Sequence, residues 1–248
     1  MRTVANPVPC RQCPLQACPG LRPHAPEEIP YIQSFKLGEL AGERGETVIE
    51  QDVTRGGLYT LLDGIMMRYR TLPDGRRQIV NFMFPGDLVG LEGAFGEPAS
   101  HSVEMLRAAR LCLFDYKRYY DLIVAQPSLG YDITWLAAKE ETALEEHLVA
   151  LGRRSARERV AYLAIWLIDR ARGTCMADGG NRLEVTITQA QIADMLGLSL
   201  VHTNRTIKAL ERQGLVLWRQ NWIEVPDLAA VAEFAHWENV TGRPRPYL

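Results

Sequence analysis

TQAQIADMLGLSLVHTNRTIKALERQGLVLWRQNWIEV, residues 188–225, decides how the rest of the chain is read. Thr188 is a strong helix N-cap, and a short helical pattern follows it up to Gly197. That glycine permits a tight turn. A second helix is expected from about Ser199 to Gln213, with Ile207 and Leu210 facing inward and Ala193 small enough for the first helix to pack closely on it. The alternation after Gly214 predicts a hairpin. Two short helices joined by a glycine turn and trailed by a hairpin form a winged helix-turn-helix.

Such a second helix suits the major groove of B-DNA. Its first two turns carry Leu200, Val201, His202, Asn204 and Arg205, the positions that reach base edges. Arginine can bond O6 and N7 of guanine together, and asparagine can do the same on adenine. Thr188, Ser199, Thr203, Lys208 and Arg212 are assigned to phosphates, which set register without reading sequence. One small domain with so few phosphate contacts binds weakly. A pair of them, on a pseudo-palindromic double-stranded site, is the expected form.

Working outward, SARERVAYLAIWLIDRAR (155–172) predicts a buried helix, and CMADGGNRLEVTI (175–187) a loop and strand. Upstream, the apolar residues of YYDLIVAQPSLGYDITWLAAKEETALEEHLVALG recur at helical spacing. Ile133, Leu136, Ala137, Leu144, Leu148 and Leu151 are predicted to form a stripe that meets a second copy of the chain. From about 35 to 115 the period is that of short strands with glycine turns, and Asp74-Gly75 is a strong hairpin signal. This pattern predicts a cupin-like β-roll. The organisation expected is therefore α+β: a cysteine-containing tail (1–29), a roll (30–125), a dimerisation helix (126–152) and the winged domain (153–248).

Bulk properties exclude other classes. The apolar run VAYLAIWLI (160–168) is about half a membrane span, and MRTVANPVPC lacks a signal-peptide core, so a cytosolic protein with no membrane partner is expected. Net charge is −2, with 13 Lys and Arg against 10 Asp and Glu after residue 152 and 15 against 20 before it. A metal-dependent cupin enzyme needs paired histidines on its strands, and His101 is the only one between 35 and 115, so no enzymatic activity is expected. Three of five cysteines lie in CRQCPLQACPG (10–20), spaced C-x2-C-x4-C, within a proline-rich tail. With Cys112 in ARLCLFD they close a four-thiolate site if the tail folds onto the roll. Four thiolates suit iron–sulfur or zinc, and clustered cytosolic thiols also suit redox chemistry. Cys175 is read as a spare loop thiol.

Taken in order, LPDGRRQIVNFMFPGDLVGL, the long helix, RRSARERVAYL and QIADMLGLSLVHTNRTIKALERQGLV resemble the Crp/Fnr transcription regulators over residues 30 to about 225. The resemblance implies a cyclic-nucleotide-binding-domain-like roll that senses a signal and a winged domain that binds promoter DNA and works on RNA polymerase. Cyclic-nucleotide members hold the phosphate with an Arg-Ser pair. The corresponding GEPASHSVEM offers Ser100, His101 and Ser102 without arginine, so cyclic AMP is not expected to bind. The tail is similar to that of the oxygen-sensing FNR branch, which implies a [4Fe–4S] cluster on Cys10, Cys13, Cys18 and Cys112. Thiol redox, zinc or another small effector stays open beside it. Val201, Asn204 and Leu144 depart from that branch, so the half-site and the dimer switch are expected to differ.

Overall fold

The computed structural model describes residues 1–248 apart from 55–56, 178–179 and 239–242. Two antiparallel sheets make the roll. The first holds β1 (Arg2–Thr3), β2 (Lys36–Gly42), β4 (Leu58–Asp63), β7 (Leu88–Val89) and β9 (Ala109–Phe114) in the order β1-β2-β9-β4-β7. The second holds β3 (Thr47–Ile49), β5 (Met66–Thr71), β6 (Arg77–Met83) and β8 (Ser102–Met105) in the order β3-β8-β5-β6. Alternation sends Leu61 and Leu111 of one sheet and Met66, Met83, Val103 and Met105 of the other into a shared buried cluster. The Asp-Gly hairpin joins β5 to β6 as expected: Gly75 has φ +84° and the Leu72 N–H donates to the Arg76 carbonyl at 2.8 Å. Gly90 also lies at φ +84°, and a Cβ there would sit 2.0 Å from the Gly57 carbonyl oxygen. Only glycine lets these two loops touch.

Helices frame the roll. α1 (Ile29–Phe35) enters it, and α2 (Tyr119–Ala125) leads to α3 (Pro127–Arg153). α3 spans 27 residues, about 40 Å at 1.5 Å per residue, with Pro127 in the first turn where its missing N–H costs nothing. Its predicted stripe divides in two, which corrects the sequence reading. Ile133 and Leu136 are 2% and 3% exposed, buried within their own chain. Ala137 and Leu148 are exposed, Leu144 is 36% exposed, and Leu151 is half-buried. Helical spacing groups residues within a band that wraps more than one neighbour, so one band serves both the roll and the outside.

α4 (Ala156–Gly173) opens with a capping box between Ser155 and Glu158 and buries every residue from Val160 to Ile165. Its middle is buried on every side because α5 (Gln189–Leu196), α6 (Leu200–Arg212), α7 (Leu228–Phe234) and the sheet β10-β12-β11 pack around it. That sheet comprises β10 (Arg182–Glu184), β11 (Leu217–Trp218) and β12 (Trp222–Glu224). The loop expected after Cys175 runs partly outside the described residues.

The two halves are docked. Arg77 of the β5–β6 hairpin pairs with Asp194 of α5 at 3.2 Å, and Gln78 donates to the Met195 carbonyl at 3.0 Å. Residues 243–248 pack back on the roll and tail. Leu21 bridges Arg245, the Arg245 N–H donates to the Gly20 carbonyl at 2.8 Å, and Tyr247 and Leu248 are buried. Arg245 and Arg170 of α4 converge on Oδ1 of buried Asp87 at 2.9 and 2.6 Å. Burial by itself raises the Asp87 pKa, but Arg170 and Arg245 overcome it and hold the carboxyl below its usual range. Among the described residues no helix is long and apolar enough to cross a membrane.

Candidate functional site

The helix-turn-helix is assembled by its caps. Thr188 Oγ1 accepts from the Gln191 N–H at 3.2 Å, while the Gln191 side chain accepts from the Thr188 N–H at 2.8 Å. Gly197 turns the chain at φ +61°, and Ser199 Oγ caps α6 by accepting from the His202 N–H at 3.3 Å. Thr203, Thr206, Ile207 and Leu210 face inward. This removes Thr203 from the phosphate contacts, because it is fully buried and its hydroxyl donates to the Ser199 carbonyl at 3.0 Å. The other face of α6 presents Leu200, Val201, His202, Arg205, Lys208 and Arg212 to solvent. Asn204 is half-buried and donates to Gln189 of α5 at 2.9 Å.

Sequence reasoning missed several neighbours. Arg219 of the wing pairs with Glu211, and the Trp222 ring has the Arg182 guanidinium 4.2 Å and the Arg219 guanidinium 5.8 Å from its centroid. Both guanidiniums flank the wing's Trp222 and both are paired, Arg219 with Glu211 of α6 and Arg182 with Glu184 of its own strand. The signal available was a hairpin tip, WRQNW, carrying arginine between tryptophans.

At the tail, backbone and side-chain bonds lay the chain on the first sheet. The Val8 N–H donates to Glu39 Oε1 at 2.8 Å, Lys36 Nζ donates to the Val8 carbonyl at 2.6 Å, and the Cys10 N–H donates to Gln33 at 2.8 Å. Cys112, opposite Glu39 on β2 and Thr60 on β4, then shares a small cavity of about 20 Å³ with Cys10 and Cys13. His24, Lys36, Glu39, Tyr247 and Leu248 complete its wall. None of these five was foreseen, because they come from three separate stretches of chain. The rings of His24 and Tyr247 lie 4.2 Å apart. Burial pushes all three thiols up, Cys112 to about 12, despite the opposing charge of Lys36. Protonated, dry thiols are poor nucleophiles.

The fourth cysteine goes elsewhere. Cys18 is disulfide-bonded to Cys175, the residue read as a spare thiol, across a Cα separation of 5.3 Å. Their neighbours Gly20 and Gly173 touch backbone to backbone, which draws the pair together. The expected four-thiolate set is thus reduced to three. Among the described residues no group of three or more His, Cys, Asp and Glu is placed to hold a metal ion. In this arrangement the residues do not fit a [4Fe–4S] cluster.

The cyclic nucleotide-binding domain family matches residues 41–126, and the Crp-like helix-turn-helix domain family matches residues 158–234. The nitrogen fixation regulation protein FixK of Bradyrhizobium diazoefficiens is 34% identical over 77% of this chain and 79% of its own length. The chain belongs to the Crp/Fnr family of transcription regulators. A second Crp/Fnr relative, the transcriptional activator protein FnrL of Cereibacter sphaeroides, is 27% identical over 95% of both chains. Among solved structures, FixK2 from Bradyrhizobium japonicum is similar with a TM-score of 0.68 and 25% identity, covering 79% of this chain and 95% of that one.

In this Crp/Fnr chain a cavity of about 500 Å³ lies between the roll and α3. Its lining includes Arg68, Glu92, His101, Glu140, Glu141 and Arg245. Arg68 is paired with Glu140 and Arg245 with Asp87, so both guanidiniums already have an anion. Burial lowers the His101 pKa to about 4, the nearby Arg68 adding to the effect, which leaves the ring neutral at pH 7.

Proposed function

We propose that this Crp/Fnr regulator acts in the cytosol as a homodimer on pseudo-palindromic promoter DNA, works on RNA polymerase, and answers to oxygen or redox state through its cysteines. The observation that carries the sensing part is the convergence of Cys10 and Cys13 of the tail on Cys112 of the roll. With Cys18 engaged by Cys175 a four-thiolate cluster lacks one ligand, so the response is assigned to the thiols, which react once the tail lifts from the roll and water reaches them. Ala137, Leu144 and Leu148, exposed on the side of α3 that also borders the roll cavity, support self-association through α3. Arg205, Lys208 and Arg212, exposed along one face of α6, support the assignment of that face to DNA. Cyclic AMP is not the effector, since carboxylates crowd the roll cavity and its two described arginines are already paired.

The test is binding to a duplex selected from a random pool, with and without air, alongside iron, sulfide and zinc analysis of anaerobically purified protein. A several-fold change in affinity that disappears in Cys10→Ser, Cys13→Ser or Cys112→Ser is expected, with little iron. Equal affinity in both atmospheres ends the redox reading. Iron and sulfide in cubane proportion would replace the thiol form with the cluster. Sedimentation tests the seam: Leu144→Asp, which sets two carboxylates face to face, should shift the protein toward monomer.

A further inference from the structure

We propose that Cys18 and Cys175 are a redox modification site, an intrachain crosslink that ties the tail to the DNA-binding half. The inference extends the redox reading given above, and rests on it, but involves a different pair of sulfurs. The two residues are 157 positions apart, yet their surroundings are built to meet. The Gly20 N–H donates to the Gly173 carbonyl at 2.8 Å, and a Cβ on Gly20 would lie 2.7 Å from the Gly173 Cα. The Arg245 N–H closes the other side by donating to the Gly20 carbonyl at 2.8 Å. This three-way backbone contact sets the Cα atoms 5.3 Å apart, within the range a disulfide spans.

The sulfurs differ in access. Cys18 is 5% exposed inside an apolar cluster, whereas Cys175 is exposed at the end of α4. Cys175 is therefore where an oxidant or a reducing thiol arrives. With a hydroperoxide as oxidant, the Cys175 thiolate attacks the terminal oxygen, the O–O bond breaks and an alcohol (or water) leaves. The resulting sulfenic acid is attacked by Cys18, the S–S bond forms and water departs. Two thiols lose two protons and two electrons, and the peroxide is reduced by two. A cellular thiol reverses it by exchange at the exposed sulfur. Cytosolic disulfides of this kind are usually transient and regulatory.

Closing the link has two consequences. Cys18 is withdrawn from Cys10, Cys13 and Cys112, and α4 is tied to the tail. The recognition face of α6 stays open to solvent in the tied arrangement. A reader held in one orientation loses less freedom on binding, so the crosslinked protein should bind DNA more tightly.

The full-length protein, reduced and then treated with hydrogen peroxide, is to be mapped by mass spectrometry of unreduced peptides and titrated with a duplex selected from a random pool. Expected is a peptide joining Cys18 to Cys175, with affinity about threefold or more above that of reduced protein. Cys18→Ser and Cys175→Ser should both lose the peptide and the gain; Cys175 is exposed, so its replacement leaves packing intact. Absence of the peptide, or oxidised binding no tighter than reduced, overturns the proposal. If no link forms but Cys175→Ser still responds to air, this inference falls and the redox reading stands. If the link sets affinity while Cys112→Ser matches wild type, the crosslink stands and the reading through Cys112 falls.

Discussion

The recognition helix and the cysteine cavity are assembled by different means. α5, its turn and α6 come from the single stretch Gln189–Arg212, and each cap or turn is made by residues a few positions apart. The cavity draws on Val8 to Pro14, His24, α1 and β2, Cys112 in β9, and Tyr247 and Leu248. A site made locally is stable wherever its helices pack. A site made from distant segments, Leu62 of β4 among them, exists only while every segment is held, and the Asp87 ion cluster does part of that holding for the last one. Removing the long-range ties should therefore hurt the cavity first and the recognition helix last.

The largest effect is expected at Asp87. Asp87→Ala leaves Arg170 and Arg245 without their buried anion and should cost about 3–5 kcal/mol in urea unfolding. Hydrogen exchange should open residues 243–248 well before α6. A loss under about 1 kcal/mol would mean the cavity end does not depend on this cluster.

Acid is the next test. His147 Nε2 donates to Asn81 Oδ1 of β6 at 3.3 Å and its Nδ1 accepts from the Tyr162 hydroxyl of α4 at 3.1 Å, joining roll, α3 and winged half. Burial, helped by Arg68 and Arg154, lowers its pKa from 6.5 to about 4. Above pH 6.5 the ring is neutral in folded and unfolded chains, and its contribution is complete. As pH falls from 6.5 toward 4 the unfolded chain takes the proton first, so stability drops, by roughly 3 kcal/mol for this one group. Unfolding midpoints measured from pH 7 to pH 4 should show the fall, and His147→Gln should flatten it. An unchanged slope in the variant would place the acid sensitivity elsewhere, for instance at His24 in the cavity wall, whose pKa burial also lowers to about 4.

Smaller effects belong to the local site. Arg205→Ala should weaken binding by about 1–3 kcal/mol and relax preference at one guanine per half-site, whereas Lys208→Ala should weaken all sequences alike and reduce the salt slope by about 1. Selection from random DNA separates the two. Unchanged base preference in Arg205→Ala would move the reading contact to Asn204 or His202. Smallest is Thr188→Ala, which removes one cap and should cost about 1 kcal/mol by thermal unfolding without disturbing the cysteine cavity.

What could be read in advance follows the same division. Thr188 as a cap and Gly197 as the turn were legible because capping and left-handed turns depend on residues one to three positions away, whereas Ser199, read as the start of the helix and a phosphate contact, is also its cap. The roll was legible through alternation and the Asp74-Gly75 turn. The α3 stripe was half legible: its period marked which residues are apolar, but Ile133 and Leu144 look alike until the roll covers one of them. Thr203 was misplaced because its neighbours on α6 face outward and only the packing of α5 shows which way it turns.

By itself, then, the order of residues determined the elements and most of their caps and turns, since these rest on short-range sterics and hydrogen bonds. Only the tertiary structure decided that Cys18 meets Cys175 instead of Cys112, that Arg245 reaches Asp87, and that Tyr247 and Leu248 cover the tail thiols. Each of those pairings spans more than 150 residues. Nothing in a cysteine's own neighbourhood names a partner so far along the chain; the choice falls to whichever backbones can approach, and here that was settled by two glycines, Gly20 and Gly173.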